Sequence, residues 1–262
     1  MKRLICSLAA AALLVLAAGT AARAETIRFS VSAEPYPPFA SKNAAGHWEG
    51  FEVDLIHAIC GHLKPTRCEL KATAWDGIIP ALTSKKIDVI FASMSITDER
   101  KKTIAFTIPY YNTPAAIMAR KDSGITTNPK STQGKTIGVQ TATIHENYAD
   151  KYFKPYATIK VYNAQDEANS DLAAGRIDAT IADSASLDPF LKSDAGKDFA
   201  IKGFFPKNDP IWGEGIGAGV RKGDDRLRER LNAAIREIYK DGEYARLMKK
   251  YFTYDVSTPP QG

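Results

Sequence analysis

The chain has 262 residues, 44% of them apolar and 25% charged, with a formal net charge of +5. That apolar share excludes a disordered or low-complexity polymer, and the length suits one large domain or two lobes of about 100 to 120 residues each. Three basic residues, Lys2, Arg3 and Arg23, lie in the first 24 positions; without them the charge is +2, too little to suggest a nucleic-acid partner.

Met1-Lys2-Arg3 is a charged start, residues 4–18 are apolar, and Ala22-Arg23-Ala24 has the small-x-small form of a signal-peptidase site. The apolar run is short for a membrane span and ends in a processing signal, so residues 1–24 are expected to be removed on export. Cys6 would leave with them, and the absence of a cysteine just after the site argues against a lipid anchor. No later segment approaches transmembrane length.

Residues 26–31 alternate Ile27, Phe29 and Val31, as a strand does, and run into the rigid aromatic loop Pro35-Tyr36-Pro37-Pro38-Phe39. Residues 51–63 place Ile56, Ile59, Cys60 and Leu63 on one face of a helix, residues 68–72 form a short strand, and Asp76 is expected to cap the helix containing Ile78, Ile79 and Leu82. In an exported chain Cys60 and Cys68, eight apart, read as a local disulfide. A metal site would need more ligands than His57 and His62, whose spacing does not put them on one helical face.

Residues 82–93 and 172–183 form a repeat at an interval of ninety positions, with Leu82/Leu172, Ile87/Ile177, Asp88/Asp178 and Ala92/Ala182 identical and Lys86 replaced by Arg176. Each copy reads as a helix end, a basic or glycine turn and a short apolar strand that delivers a polar group, Ser93 or Asp183. Ligands of open α/β sheets lie beyond the carboxyl ends of strands, so two such mouths suggest two lobes and one cleft.

A second series of elements follows, with strands at 116–119, 136–139, 158–161 and 179–181 and helices at 144–152, 166–174 and 184–191. Alternating strands and helices imply mostly parallel sheets flanked by helices. Residues 112–114 and 207–212 read as crossovers, which divides the mature chain into a discontinuous first lobe, 25–111 with 213–256, a second lobe, 115–206, and a loose tail, 257–262. The glycine-rich run Gly213 to Val220 ends in a turn rather than a helix start, so it reads as a close-packed strand and not a dinucleotide loop. Two helices, at 225–239 and 243–251, close the chain.

Chemistry has no positive signal: His47, His57, His62 and His145 lack ligand spacing, there is no Gly-x-Ser-x-Gly elbow, and no cofactor or metal is expected. What is present suits a zwitterion. Ser93-Met94-Ser95-Ile96-Thr97-Asp98-Glu99-Arg100 runs from a strand end into a helical turn, where free N–H groups favour an anion and Arg100 adds a two-pronged carboxylate grip. Gln140-Thr141-Ala142-Thr143-Ile144 opens another helix after an apolar strand, Asp183 can take an ammonium, and Tyr36 and Trp75 are candidates for the cleft walls.

Together with the export signal, the motifs Tyr36-Pro37-Pro38-Phe39, Gly50-Phe51-Glu52-Val53-Asp54-Leu55, Trp75-Asp76-Gly77-Ile78-Ile79-Pro80-Ala81-Leu82, Ser93-Met94-Ser95-Ile96-Thr97 with Arg100, Ala174-Gly175-Arg176-Ile177-Asp178-Ala179 and Asp241-Gly242-Glu243-Tyr244 resemble the periplasmic amino-acid-binding proteins of ABC importers. The likeness spans the mature chain and leans toward the lysine/arginine/ornithine- and histidine-binding branch. It implies a type II two-lobed fold in the periplasm, closure on one free amino acid, docking on a membrane permease, and a monomer. It also implies that Tyr36 and Trp75 sandwich the side chain, that Ser93 and Asp183 hold the α-ammonium, and that Ser95, Arg100 and Thr143 or Ile144 hold the α-carboxylate. Ile144 replaces the usual Thr, so only its N–H could serve, and Cys60–Cys68 matches the family's disulfide. The basic-residue binders carry an acid where this chain has Ala33; Glu34 is the substitute expected to reach a distal cation. Gln140, Thr141 and His145 would fit a neutral polar amino acid almost as well, so a neutral polar amino acid or an opine is the alternative ligand. The rival reading is a cyclohexadienyl or arogenate dehydratase on the same scaffold, with Glu34 as its acid. A sensory receptor domain is a weaker third.

Overall fold

The computed structural model describes residues 25–63 and 66–260. The expected signal segment, with Cys6, lies outside the described residues. Strand β1 (Thr26–Ser32) leads through the hairpin β2 (Ser41–Lys42) and β3 (Trp48–Glu49) to α1 (Phe51–His62) and β4 (Arg67–Thr73). A 3-10 turn, Trp75–Gly77, passes into α2 (Ile78–Thr83), followed by β5 (Val89–Ile90), α3 (Asp98–Lys101) and β6 (Ile104–Phe106). The second unit comprises β7 (Ala115–Arg120), β8 (Thr136–Gln140), α4 (Ile144–Tyr148) with a π-helical extension over Ala149–Phe153, β9 (Thr158–Tyr162), α5 (Gln165–Ala173), β10 (Ala179–Asp183), α6 (Ser184–Leu191) and β11 (Phe199–Phe204). The chain then returns through a 3-10 turn, Pro210–Trp212, to β12 (Gly219–Arg221), α7 (Asp225–Lys240) and α8 (Glu243–Tyr251).

Two five-stranded sheets result, ordered β4-β1-β5-β12-β6 and β11-β7-β10-β8-β9. Mostly parallel sheets were the expectation, and each is parallel except for one reversed strand: β12 is antiparallel to both its neighbours, and so is β7. The reversed strands are the first in the chain after each crossover. A chain arriving at the hinge end of a sheet, where the other strands finish, can enter it only by running away from the hinge.

The ninety-residue repeat is a structural repeat. Lys85 and Gly175 both have left-handed backbones, φ 63 and 70, and end α2 and α5 in the same turn: the N–H groups of Lys86 and Arg176 donate to Ala81 O and Asp171 O. Asp88 then accepts the backbone N–H of Arg28 at 3.0 Å, and Asp178 that of Thr136 at 2.9 Å, so each aspartate fastens the start of the neighbouring strand. Asp88 also takes the guanidinium groups of Arg28 and Arg221, which hold its carboxyl below the usual range against the opposing effect of burial.

Helices α1, α7 and α8 cover one face of the first sheet, packing Leu55, Ile59, Leu231, Ile235 and Leu247 against Ile27, Phe29 and Val31. Cys60 and Cys68 are bonded, tying α1 to β4 with Cα atoms 6.3 Å apart. Asp76 is not a helix cap. The free N–H at the start of that turn, on Trp75, donates instead to Glu34 Oε2 at 3.0 Å, a carboxylate supplied from the loop after β1.

Gly213 marks the return to the first sheet. Its φ is 73, and a Cβ there would lie 2.2 Å from Ile96 O, while Ile96 N–H donates to Gly215 O at 2.8 Å and Ile96 O accepts Glu214 N–H at 2.9 Å, which seats the strand. Beyond α8 the chain is fastened rather than loose as far as 258: Ser257 pairs with Tyr111, and Thr258 N–H donates to Tyr239 Oη at 3.1 Å.

Candidate functional site

The carboxyl ends of β1, β5, β8 and β10 converge on a cleft between the sheets that contains about 510 Å³ of space unoccupied by protein atoms. Ten of the residues singled out in the sequence line it: Tyr36, Trp75, Ser93, Ser95 and Arg100 from one side, and Gln140, Thr143, Ile144, His145 and Asp183 from the other. Glu34 does not. Its Oε2 accepts Ser32 Oγ at 2.6 Å as well as the Trp75 N–H, which turns it toward the base of the loop.

Among the described residues, Arg100 is the one guanidinium lining the cavity. It sits in the short helix α3, whose first turn is capped by Thr97 Oγ1, and its Nη atoms donate to Ser95 O at 3.0 Å and, across the cleft, to Ala142 O at 3.1 Å. Its carbon lies 5.4 Å from the centre of the Trp75 ring. No carboxylate is within ion-pair distance of it among the described residues. Burial draws its pKa down to about 10, and the field of Asp183 opposes that shift. A cation that has two carbonyl partners, and no anion of its own among the described residues, has the capacity to take one.

Asp183, at the end of β10, is buried and accepts the Tyr36 hydroxyl at 2.7 Å and Thr113 Oγ1 at 2.8 Å. His145 Nε2 stands 3.8 Å from it and has no hydrogen-bond partner among the described residues, and burial lowers this imidazole's pKa below 6.5. Its neutral form is therefore the one the cleft favours.

Thr143 caps α4: its Oγ1 accepts Glu146 N–H at 3.1 Å and donates to Gln140 O at 2.7 Å. With its proton committed, the hydroxyl has nothing to give a carboxylate, and only backbone N–H groups of this turn remain as donors. Gln140 Nε2 donates to Asn163 O at 3.1 Å. The walls are a pillar of stacked rings, Tyr36 on Phe39 with centroids 5.5 Å apart and Phe39 on Tyr111 at 5.3 Å, facing Trp75. Trp75 Nε1 donates across the cleft to Thr141 O at 3.0 Å.

Sequence reasoning missed two polar lining residues, Ser32 and Glu52. Glu52 had a signal: it occupies the apolar face of α1 that also carries Leu55, Ile56 and Ile59, and an acid on such a stripe is a buried acid. Ser32 had none, because it ends a strand that is buried on both faces.

The description "Bacterial extracellular solute-binding proteins, family 3" belongs to the family profile that matches residues 27–254. The chain is 42% identical to the L-arginine-binding protein of Pseudomonas aeruginosa over 258 residues, which is 98% of both proteins. It is 40% identical to the histidine-binding periplasmic protein of Escherichia coli over 262 residues, 98% of this chain and 99% of the other. Among solved structures it is similar to an ancestral arginine-binding protein bound to arginine, with a TM-score of 0.79 and 36% identity over 87% of this chain and 98% of that one.

Proposed function

Because this chain belongs to the bacterial extracellular solute-binding proteins of family 3, we propose that it is the periplasmic substrate-binding component of an ABC transporter for a basic amino acid, one of lysine, arginine, ornithine or histidine. The observation that carries this is the pairing of Arg100, without a counter-ion, and Asp183, held by neutral hydroxyls, on opposite walls of one cavity. The α-carboxylate goes to Arg100, Ser95 and the backbone N–H groups of Thr143 and Ile144; the α-ammonium goes to Asp183 and Ser93. Tyr36 and Trp75 flank the side chain, whose cationic head group suits aromatic faces. The relatives that bind arginine and histidine support a basic side chain.

Binding proceeds without turnover. Residues 25–111 with 213–256 and residues 115–206 move as two lobes about 112–114 and 207–212, and the closed monomer, freed of residues 1–24, delivers its ligand to a membrane permease. A dehydratase would need an acid in the cleft aimed at a leaving group; Glu34, the candidate for that role, is engaged outside it, and Glu52, which does line the cavity, is held by Ser93, Tyr110 and Tyr111.

Calorimetry of the mature protein with the twenty proteinogenic amino acids, ornithine, citrulline and opines tests the reading. One or more basic amino acids should bind with a dissociation constant on the order of 0.1 to 1 µM, about −8 to −10 kcal/mol. A flat response to lysine, arginine, ornithine and histidine would overturn it, and multiple turnovers of prephenate or arogenate would establish the enzyme instead.

A further inference from the structure

One acid in the cavity wall has no part in the contacts assigned above. Glu52 projects from the first turn of α1, is fully buried, and lines the cavity beside Ser93. Its Oε1 accepts the Ser93 backbone N–H at 2.8 Å, the Tyr110 hydroxyl at 3.0 Å and the Tyr111 hydroxyl at 3.2 Å, while Oε2 lies 3.0 Å from Ser93 Oγ. None of the ion pairs among the described residues includes Glu52. Burial pushes its pKa up, and these four donors pull the other way. Ser93 itself has a left-handed backbone, φ 53, that a serine rarely adopts, and the N–H this conformation turns inward is the one Glu52 holds.

Counting protons fixes what Ser93 can do. A carboxylate only accepts, so the single proton of Ser93 Oγ is spent on Glu52. The Tyr111 hydroxyl, 2.8 Å from Ser93 Oγ, has one proton to share between Ser93 and Glu52 and takes none from the serine in return. Whatever lone pair Ser93 presents to the cleft is therefore acceptor-only, as Asp183 is across from it. Two acceptors lining one cavity fit a group with several protons.

We propose that Glu52 is a positioning residue that locks Ser93 as a hydrogen-bond acceptor, and that this makes the amino end of the cleft select an ammonium over a hydroxyl. The inference rests on the amino-acid-binding reading above and deepens it. A ligand hydroxyl has one proton to divide between Asp183 and Ser93, whereas an ammonium has three.

The probes are L-arginine and its α-hydroxy analogue, L-argininic acid, titrated into the mature protein by calorimetry. Wild type should prefer arginine by about a hundredfold or more, since a site whose groups only accept rejects a ligand with too few protons to satisfy them. In Glu52→Gln the amide NH₂ can face Ser93 Oγ, which then turns its own proton to the ligand, and the preference should shrink by about tenfold. Glu52→Asp keeps the carboxylate and should keep the preference while lowering both affinities. Equal weakening of both ligands in Glu52→Gln would show a merely structural role and overturn the proposal. If Glu52→Gln does not fold by circular dichroism, Ser93→Ala decides: its preference must fall, because the acceptor is gone, and an unchanged ratio overturns the proposal. Failure of wild type to bind arginine, lysine, ornithine or histidine is a different result, which overturns the ligand reading and takes this inference with it.

Discussion

Arg100→Ala separates binding from folding. In the folded protein the guanidinium gives up hydration: its pKa falls from 12.5 to about 10, which corresponds to about 3 kcal/mol at most, and to less once its partial solvent access is counted. Against this stand its two charge-assisted bonds to Ser95 O and Ala142 O, together worth about 3 kcal/mol. The two nearly cancel, so the variant without ligand should melt within about 2 to 4 °C of wild type, the shift expected for 1 kcal/mol in a chain of this size. Affinity should respond very differently. Truncation leaves a desolvated ligand carboxylate unpaired, a loss of about 2 to 5 kcal/mol, or roughly 30-fold to several thousandfold in the dissociation constant. Calorimetry with arginine, lysine, ornithine and histidine reads the second effect and differential scanning fluorimetry the first. Affinity within threefold of wild type, or a melting temperature lower by more than 10 °C, would refute the assignment of Arg100 as the carboxylate receptor.

Trp75→Phe keeps an aromatic wall but loses the Nε1 bond to Thr141 O, so affinity should drop by about 2- to 12-fold, chiefly as faster dissociation in stopped-flow experiments. Glu34→Gln should cost about 1 kcal/mol of stability through weaker bonds to Ser32 and the Trp75 N–H, yet leave the preference for arginine over glutamine within threefold; a lost preference would return Glu34 to the site. His145 has a lowered folded pKa, because burial and Arg100 outweigh Asp183, so the unfolded chain binds its proton more readily and stability must fall as pH drops below about 6.5. His145→Gln should remove that component, and melting curves from pH 8 to 5 that superimpose for the two proteins would contradict it.

Much of this was legible in the sequence, because local rules and tertiary demands agree along most of the chain. Asp88 and Asp178 recur ninety residues apart because both lobes need the same strand-start staple, and that need is written as identity. Arg100 and Asp183 were found by their positions after strands, which topology alone turns toward a cleft. The misses are residues whose partners are far away in sequence. Asp76 stands where a cap should be, yet Glu34, forty-one residues upstream of Trp75, satisfies that turn. The same long-range bond removes Glu34 from the cavity, and no periodicity encodes it. The direction of β7 and β12 depends on where the hinge lies, a fact about the assembled lobes and not about either segment.

Closure has to be driven by what the ligand adds beyond contacts the protein already makes. Among the described residues three side-chain bonds cross the cleft: Trp75 to Thr141 O, Arg100 to Ala142 O, and Tyr36 to Asp183. The neutral bond contributes about 1 kcal/mol and the two charge-assisted ones about 1.5 kcal/mol or more each, so together they hold the lobes by a few kcal/mol. Two of the three use Arg100 and Asp183, so a bound zwitterion partly replaces them and its gain is a difference, not a sum. Moving a two-state equilibrium from 1:99 to 99:1 requires about 5.5 kcal/mol of differential affinity. One end of the ligand cannot supply that, because an amine without a carboxylate meets Asp183 but leaves Arg100 on its carbonyls. Agmatine, which is arginine without its carboxylate, should therefore bind at least a hundredfold more weakly than arginine, and small-angle scattering should show the protein compact with arginine and unchanged with agmatine. Equal compaction by both would mean that closure is not driven by spanning Arg100 and Asp183.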